Sequence, residues 1–261
     1  MNVTDSDRRL TYPSPPEMKP AEWSARQDLA LAYRLFDHFG WHELIYNHIT
    51  VRVPGEDGTF LINPFGLMYR EITASNLVKI DVEGRVLSTP ARRINPAGFV
   101  VHAAVHSNRA DAHAVIHSHT TAGQAVSCQE HGLLPLSFTS VFFHDRIAYH
   151  DFEGITLDRD ECSRLARDLG SSNVMILRNH GLLTCGPTLA HAFQLHYQLQ
   201  RACEVQVAVQ AGRSDIRLVP ANIASRAAEQ FAAAQIAGGE DEMLFDAMRR
   251  WMVAKDPTFL A

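Results

Sequence analysis

Two short runs in this 261-residue chain end in histidines placed where a metal ion could be held. In Ala114-Val115-Ile116-His117-Ser118-His119 the histidines stand at i and i+2, closing an apolar run of strand length. Strand side chains alternate faces, so both rings project to one side about 6 to 7 Å apart along the backbone and supply half of a chelate. The second run, Ile176-Leu177-Arg178-Asn179-His180-Gly181, again puts a histidine at the mouth of an apolar strand, followed by a glycine that can take φ > 0. If the two strands are neighbours, His117, His119 and His180 meet. Three neutral imidazoles suit one divalent ion, with zinc the first choice and iron, manganese or cobalt the alternatives, and they leave positions open for water or substrate. Taken alone, an H-x-H pair reads as an accident on a solvated strand end; the N-H-G strand end tips the balance towards a metal site.

The elements that must position these residues follow from periodicity and punctuation. From Trp23 the apolar Leu29, Leu31, Tyr33, Leu35 and Phe36 recur at helical spacing and Gly40 is placed to stop the helix, which predicts a first helix over 23–39. Short β-rich runs follow, Ile49 to Val53, Thr59 to Ile62, Val78 to Val82 and Arg85 to Leu87, joined by Gly55-Glu56-Asp57-Gly58 and Glu83-Gly84 as hairpin turns. Ala97 to His106 is helix-compatible, Ala114 to His117 a buried strand, Thr120 to Cys128 helix again and Val174 to Leu177 another strand. Thr188 opens a long helix reaching Ala211, and two further helical stretches lie near 220–236 and 240–254. The pattern predicts one α/β domain over 23–261 with a mainly antiparallel central sheet, preceded by a proline-rich surface arm over 1–22.

Composition narrows the function classes. The net charge of -5 arises from both signs spread along the chain, which makes nucleic acid and anionic membrane poor partners. Cys128, Cys162, Cys185 and Cys203 are far apart with no C-x-x-C pair, as expected of reduced thiols rather than a disulfide framework. Asp5, Asp7, Arg8 and Arg9 interrupt any signal-peptide core, and no window is long and apolar enough to span a bilayer, so the expected address is the cytoplasm. Nucleotide, dinucleotide, serine-hydrolase and zincin signatures are all missing.

At the histidine runs the chain resembles the class II aldolase/adducin family. The resemblance rests on Arg109-Ala110-Asp111 before the first strand, His117-Ser118-His119 closing it, Asn179-His180-Gly181 and Gly186-Pro187-Thr188-Leu189-Ala190-His191-Ala192 opening a helix, in family order over about residues 25 to 215. Ala97-Gly98-Phe99, Thr121 to Ser127, Tyr149-His150-Asp151 and Arg201-Ala202-Cys203-Glu204 look closest to the adducin-like branch. The resemblance implies a three-layer α/β/α sandwich and a homotetramer with active sites between subunits.

It also implies a catalytic glutamate four residues before the helix histidine; that histidine looks like His102, and Gly98 stands in the glutamate's place. The family's phosphate-binding serines and T-G turn correspond here to Pro96, Ala97, Phe65 and Gly66, so a phosphorylated sugar is not expected. Asn47 matches the asparagine of the phosphate-side loop, and with Phe65 and Gly66 it marks the expected binding site for a small-molecule substrate. Proton transfer then needs a replacement, for which His144, Tyr149 and His150 are the candidates. His102 and His106, at i and i+4, share a helix face and read as packed residues in preference to a second metal pair; His48, His113, His131, His191 and His196 receive no role. The expected function is a metal-dependent lyase acting on a carbon-carbon bond, by retro-aldol cleavage or decarboxylation, in a small unphosphorylated oxo or hydroxy acid. A non-haem iron oxygenase and a non-catalytic adducin-like interaction module are the rivals.

Overall fold

The computed structural model describes residues 14–15, 17–88, 92–154, 159–212 and 215–261, so most of the predicted arm lies outside the described residues. The first helix, α1 (Pro20–Phe39), begins three residues earlier than the apolar pattern, because Pro20 occupies its first turn, where the missing N–H costs nothing. It ends at Gly40 with φ 70°. Its buried face includes an ion pair between Glu22 and Arg26, and the Arg26 guanidinium also donates to the carbonyls of Ala74 and Leu77.

Three strands follow, β1 (His48–Arg52), β2 (Thr59–Ile62) and β3 (Val78–Asp81). Arg85 to Leu87, expected as a strand, contributes one bridge between Ile80 and Val86. Helix α2 (Pro96–Asn108), strand β4 (Ala114–Ser118) and helix α3 (Thr121–Ser127) come next, with Thr120 capping α3 through its hydroxyl at the Gly123 amide. Beyond them lie β5 (Ala148–His150), α4 (Arg159–Leu169), β6 (Val174–Leu177), β7 (Gly181–Gly186), α5 (Leu189–Gln210), α6 (Ala221–Ala237) and α7 (Glu240–Lys255).

The seven strands form one sheet in the order β3-β2-β1-β4-β7-β6-β5, antiparallel throughout except for the β5–β6 edge. Strand β4 lies at its centre and shows how the layers are built. Ala114 and Ile116 pack into the cluster shared with Leu35, Phe36 and Phe193 of α1 and α5, whereas Val115 joins Val101, Val105 and Leu165 of α2 and α4 on the opposite face. This period of two, on a strand buried on both sides, gives the three-layer α/β/α sandwich. Among the described residues no helix is long and apolar enough to cross a membrane.

Candidate metal centre

His117 is the last but one residue of β4, paired to Leu183 of β7 on one side and to His48 of β1 on the other. Its Nδ1 lies 2.9 Å from the Leu182 carbonyl, which can only accept, so Nδ1 carries the proton and Nε2 presents a lone pair. His119 follows just past the strand end, where Gln124 donates to its carbonyl. His180 stands in the turn joining β6 to β7, so the two strands read as neighbours are separated by β7, and the turn carries the third ring across.

That turn is pinned on several sides. Asn179 takes φ 54° and its amide donates to the Ser127 carbonyl, while Arg178 donates to the Gln129 carbonyl and lies over the Tyr149 ring. Left-handed backbone therefore falls on Asn179, a residue that tolerates it, and Gly181 is required for a different reason. A Cβ on Gly181 would sit 2.3 Å from the Ser118 carbonyl oxygen and 3.2 Å from the His119 ring. Gly181→Ala should therefore cost about 1–3 kcal/mol by forcing β4 and β7 apart, and should move His119 off the other two rings. Urea unfolding together with metal binding checks this; a variant of unchanged midpoint and metal content would refute it.

The three rings form a near-equilateral triangle, with centroids 4.6, 4.7 and 4.8 Å apart, and their ligand-capable nitrogens all lie within 4.8 Å of one another. The His117 and His119 Nε2 atoms are 2.7 Å apart. Such convergence fits a single cation that takes a lone pair from each ring. Burial, then repulsion from other rings of the triad, holds His117 well below the usual histidine range and brings His119 down to about 4, while burial and then His150 lower His180. All three are thus neutral at neutral pH, the form in which imidazole ligates a metal.

The triad faces a cavity of about 280 Å³ whose other lining residues include Glu43, Tyr46, His48, Asn95, Gly98 and Phe152. Asn47, between two lining residues, is buried with neither amide atom hydrogen-bonded. Phe65 is partly exposed, 6.3 Å from the Tyr46 ring, and Gly66 takes φ 100°. The three residues considered for proton transfer stand elsewhere. His144 lies beside Asp145. The Tyr149 hydroxyl accepts from the Leu133 amide. His150 is buried with Nδ1 on Asp168 and Nε2 3.7 Å from Glu161. None of the three lines this cavity in its own chain.

His48, given no role from sequence, does line it. The β1–β4 register sets His48 directly opposite His117, and a strand predicted to start at Ile49 left it in a loop. His48 Nδ1 meets His102 Nε2 at 2.7 Å, His102 Nδ1 meets the Thr50 hydroxyl at 2.6 Å, and that hydroxyl meets His106 Nε2 at 2.8 Å. His102 and His106 are therefore hydrogen-bonded core residues of α2, in keeping with the packed reading.

Comparison with known proteins agrees with this architecture. The family model described as "Class II Aldolase and Adducin N-terminal domain" matches residues 27–207. An aldolase class 2 family protein of Pseudomonas aeruginosa is 50% identical over 216 residues, covering 83% of each chain. Alpha-adducin of Mus musculus is 48% identical over 185 residues, which span 70% of this chain but 25% of the adducin. Among solved structures, an aldolase II superfamily protein from Pseudomonas syringae superposes with a TM-score of 0.87 at 44% identity, covering 94% of this chain and 98% of that one. L-fuculose 1-phosphate aldolase from Glaciozyma antarctica superposes with a TM-score of 0.75 at 29% identity, covering 92% and 93%. Histidine pattern, sheet order and both kinds of similarity converge, and the chain belongs to the class II aldolase and adducin family.

Proposed function

We propose that this protein is a divalent-metal-dependent lyase that makes or breaks a carbon-carbon bond in a small unphosphorylated oxo or hydroxy acid. The observation that carries the proposal is the convergence of three neutral imidazoles, His117, His119 and His180, on one point of a cavity large enough for a small acid. His117, His119 and His180 would hold an ion of the zinc, iron, manganese or cobalt type, which would supply Lewis acidity towards a carbonyl or a chelated oxo or hydroxy acid. Around it, Asn47 offers a buried amide with unused hydrogen-bonding capacity to a polar group of the substrate. Apolar Phe65 takes the turn position where phosphate-binding relatives carry a hydroxyl, which favours an unphosphorylated guest. From the family resemblance, the assembly is proposed to be a homotetramer.

Anaerobic metal analysis of the purified protein, beside a His117→Ala/His119→Ala variant, tests the reading. The expected result is close to one zinc, manganese or cobalt per chain, lost in the variant, with cleavage of an oxo or hydroxy acid by the loaded protein. Iron with O₂ uptake would replace the lyase by an oxygenase on the same histidines. No metal in either protein after reconstitution would overturn the metal reading and leave an interaction module, the reading that the similarity to alpha-adducin favours.

A further inference from the structure

Gly98 lines the cavity from the first turn of α2, where a side chain would project at His48. That space is taken. An ideal Cβ on Gly98 would fall 2.0 Å from both Cδ2 and Nε2 of His48, so a side chain at 98 and the His48 ring in this rotamer exclude one another. We propose that His48 is the proton-transferring residue of this site, its Nε2 working in the volume that a side chain at position 98 would fill.

The hydrogen-bond chain fixes which nitrogen is free. His106 Nδ1 faces the Ala112 carbonyl at 3.2 Å, and a carbonyl only accepts, so the His106 proton is on Nδ1. His106 Nε2 then accepts from the Thr50 hydroxyl, and Thr50 in turn accepts from His102 Nδ1–H. His102 Nε2 is left as an acceptor and takes the His48 Nδ1–H. His48 Nε2 therefore carries a lone pair, has no hydrogen-bond partner among the described residues and belongs to a ring lining the cavity. One backbone carbonyl thus sets the tautomer of three successive rings. The orientation of His48 is held as well, because Nδ1 is tied to a buried partner on α2.

The step this arrangement supports rests on the lyase reading. In retro-aldol cleavage the substrate hydroxyl proton passes to Nε2 and the O–H electron pair becomes the new carbonyl bond. The carbon-carbon pair departs with the enolate. The imidazolium, which burial disfavours, returns its proton to the enolate carbon and regains the neutral tautomer, so no oxidant or co-reactant is required. Reversed, the same transfers make the bond.

Two readouts on zinc-loaded protein test the proposal. The first is a long-range ¹H–¹⁵N histidine spectrum, in which His48 is expected as the Nδ1–H tautomer with unprotonated Nε2. Thr50→Val, which cuts the chain just beyond the His102 ring, is expected to shift His48 towards a mixture of tautomers. The second is deuterium incorporation into the methyl group of pyruvate in D₂O, where His48→Gln should keep its zinc and lose at least about 100-fold in exchange rate. A His48→Val/Gly98→Glu variant, which trades the ring for a carboxylate in the same volume, should recover part of that loss. A protonated His48 Nε2, or a His48→Gln protein that keeps both zinc and exchange rate, would overturn the proposal. Wild-type protein that binds zinc but leaves pyruvate unexchanged would count against the oxo-acid reading, and the tautomer spectrum would still decide for or against His48.

Discussion

Lowering the pH from 8 to 5 should remove about 4 kcal/mol of folding stability through two buried histidines alone. His106 and His196 are fully buried, and burial brings each down to about 3. In the unfolded chain both return to about 6.5. As the pH falls below 6.5 the unfolded state binds the two protons first, so the stability present above 6.5 is lost on the way down towards 3. At pH 5 each residue contributes a loss of about 2 kcal/mol, and their separate locations, on α2 and on α5, let the two add. His196 illustrates the cause: Nε2 bonds the Ser118 hydroxyl, Nδ1 the Thr184 hydroxyl, and no carboxylate contributes to its shift. His48 and His102 are also lowered well below the usual histidine range by burial, which steepens the acid limb further.

Urea midpoints at pH 8, 6.5 and 5, taken in chelator so that protons do not compete with metal, measure the effect. Replacing His196 and its partner together, as His196→Met/Ser118→Ala, should remove about 2 kcal/mol of the pH dependence, since neither remaining side chain titrates there. Globular domains keep only about 5–15 kcal/mol in hand, so 4 kcal/mol is enough to bring acid unfolding close to pH 5. A change below about 1 kcal/mol between pH 8 and 5 would mean that these rings meet solvent or a carboxylate in solution.

Much of this arrangement was legible in the chain, and the omissions have identifiable causes. Helices α1, α5, α6 and α7 and strands β2 and β6 follow their apolar periods and caps to within a few residues. Helix α4 went unread because charged residues outnumber apolar ones in Arg159–Leu169, although Leu165 and Leu169 are spaced to pack under it. Strand β5 is only three residues long at a sheet edge, too short for an alternation to register. Of the site, His117, His119 and His180 were visible because ligation demands a residue type at a spacing. His48 was not, because its importance lies in a pairing register with β4 and a glycine 50 residues further along, and neither is local information. Gly181 is required for a property other than the positive φ its residue type suggests: its hydrogen side chain makes room for Ser118, and Asn179 takes the positive φ.

With the metal centre as proposed, free zinc at a thousandfold excess over its Kd should stabilise the native protein by about 4 kcal/mol, and His117→Ala should abolish that gain. For a chain of this length the gain corresponds to a rise in Tm of about 8 °C. The site exists only when β4, the residue beyond it and the β6–β7 turn are in register, so by mass action the ion binds the folded chain and not the unfolded one. The His117 tautomer is already fixed by Leu182, which leaves its lone pair free for the ion. Alanine at 117 leaves the sheet pairing of β4 intact, since that pairing is made by the backbone, so the loss of zinc response is separable from loss of fold. Thermal unfolding with zinc, manganese, cobalt or anaerobic iron(II), on both proteins, reads this directly. A metal-dependent Tm in the native protein and a flat response in His117→Ala support the centre. A flat response in both would mean that the three imidazoles converge without a cation, which would remove the basis of the lyase reading and turn attention to the surfaces this domain shares with adducin.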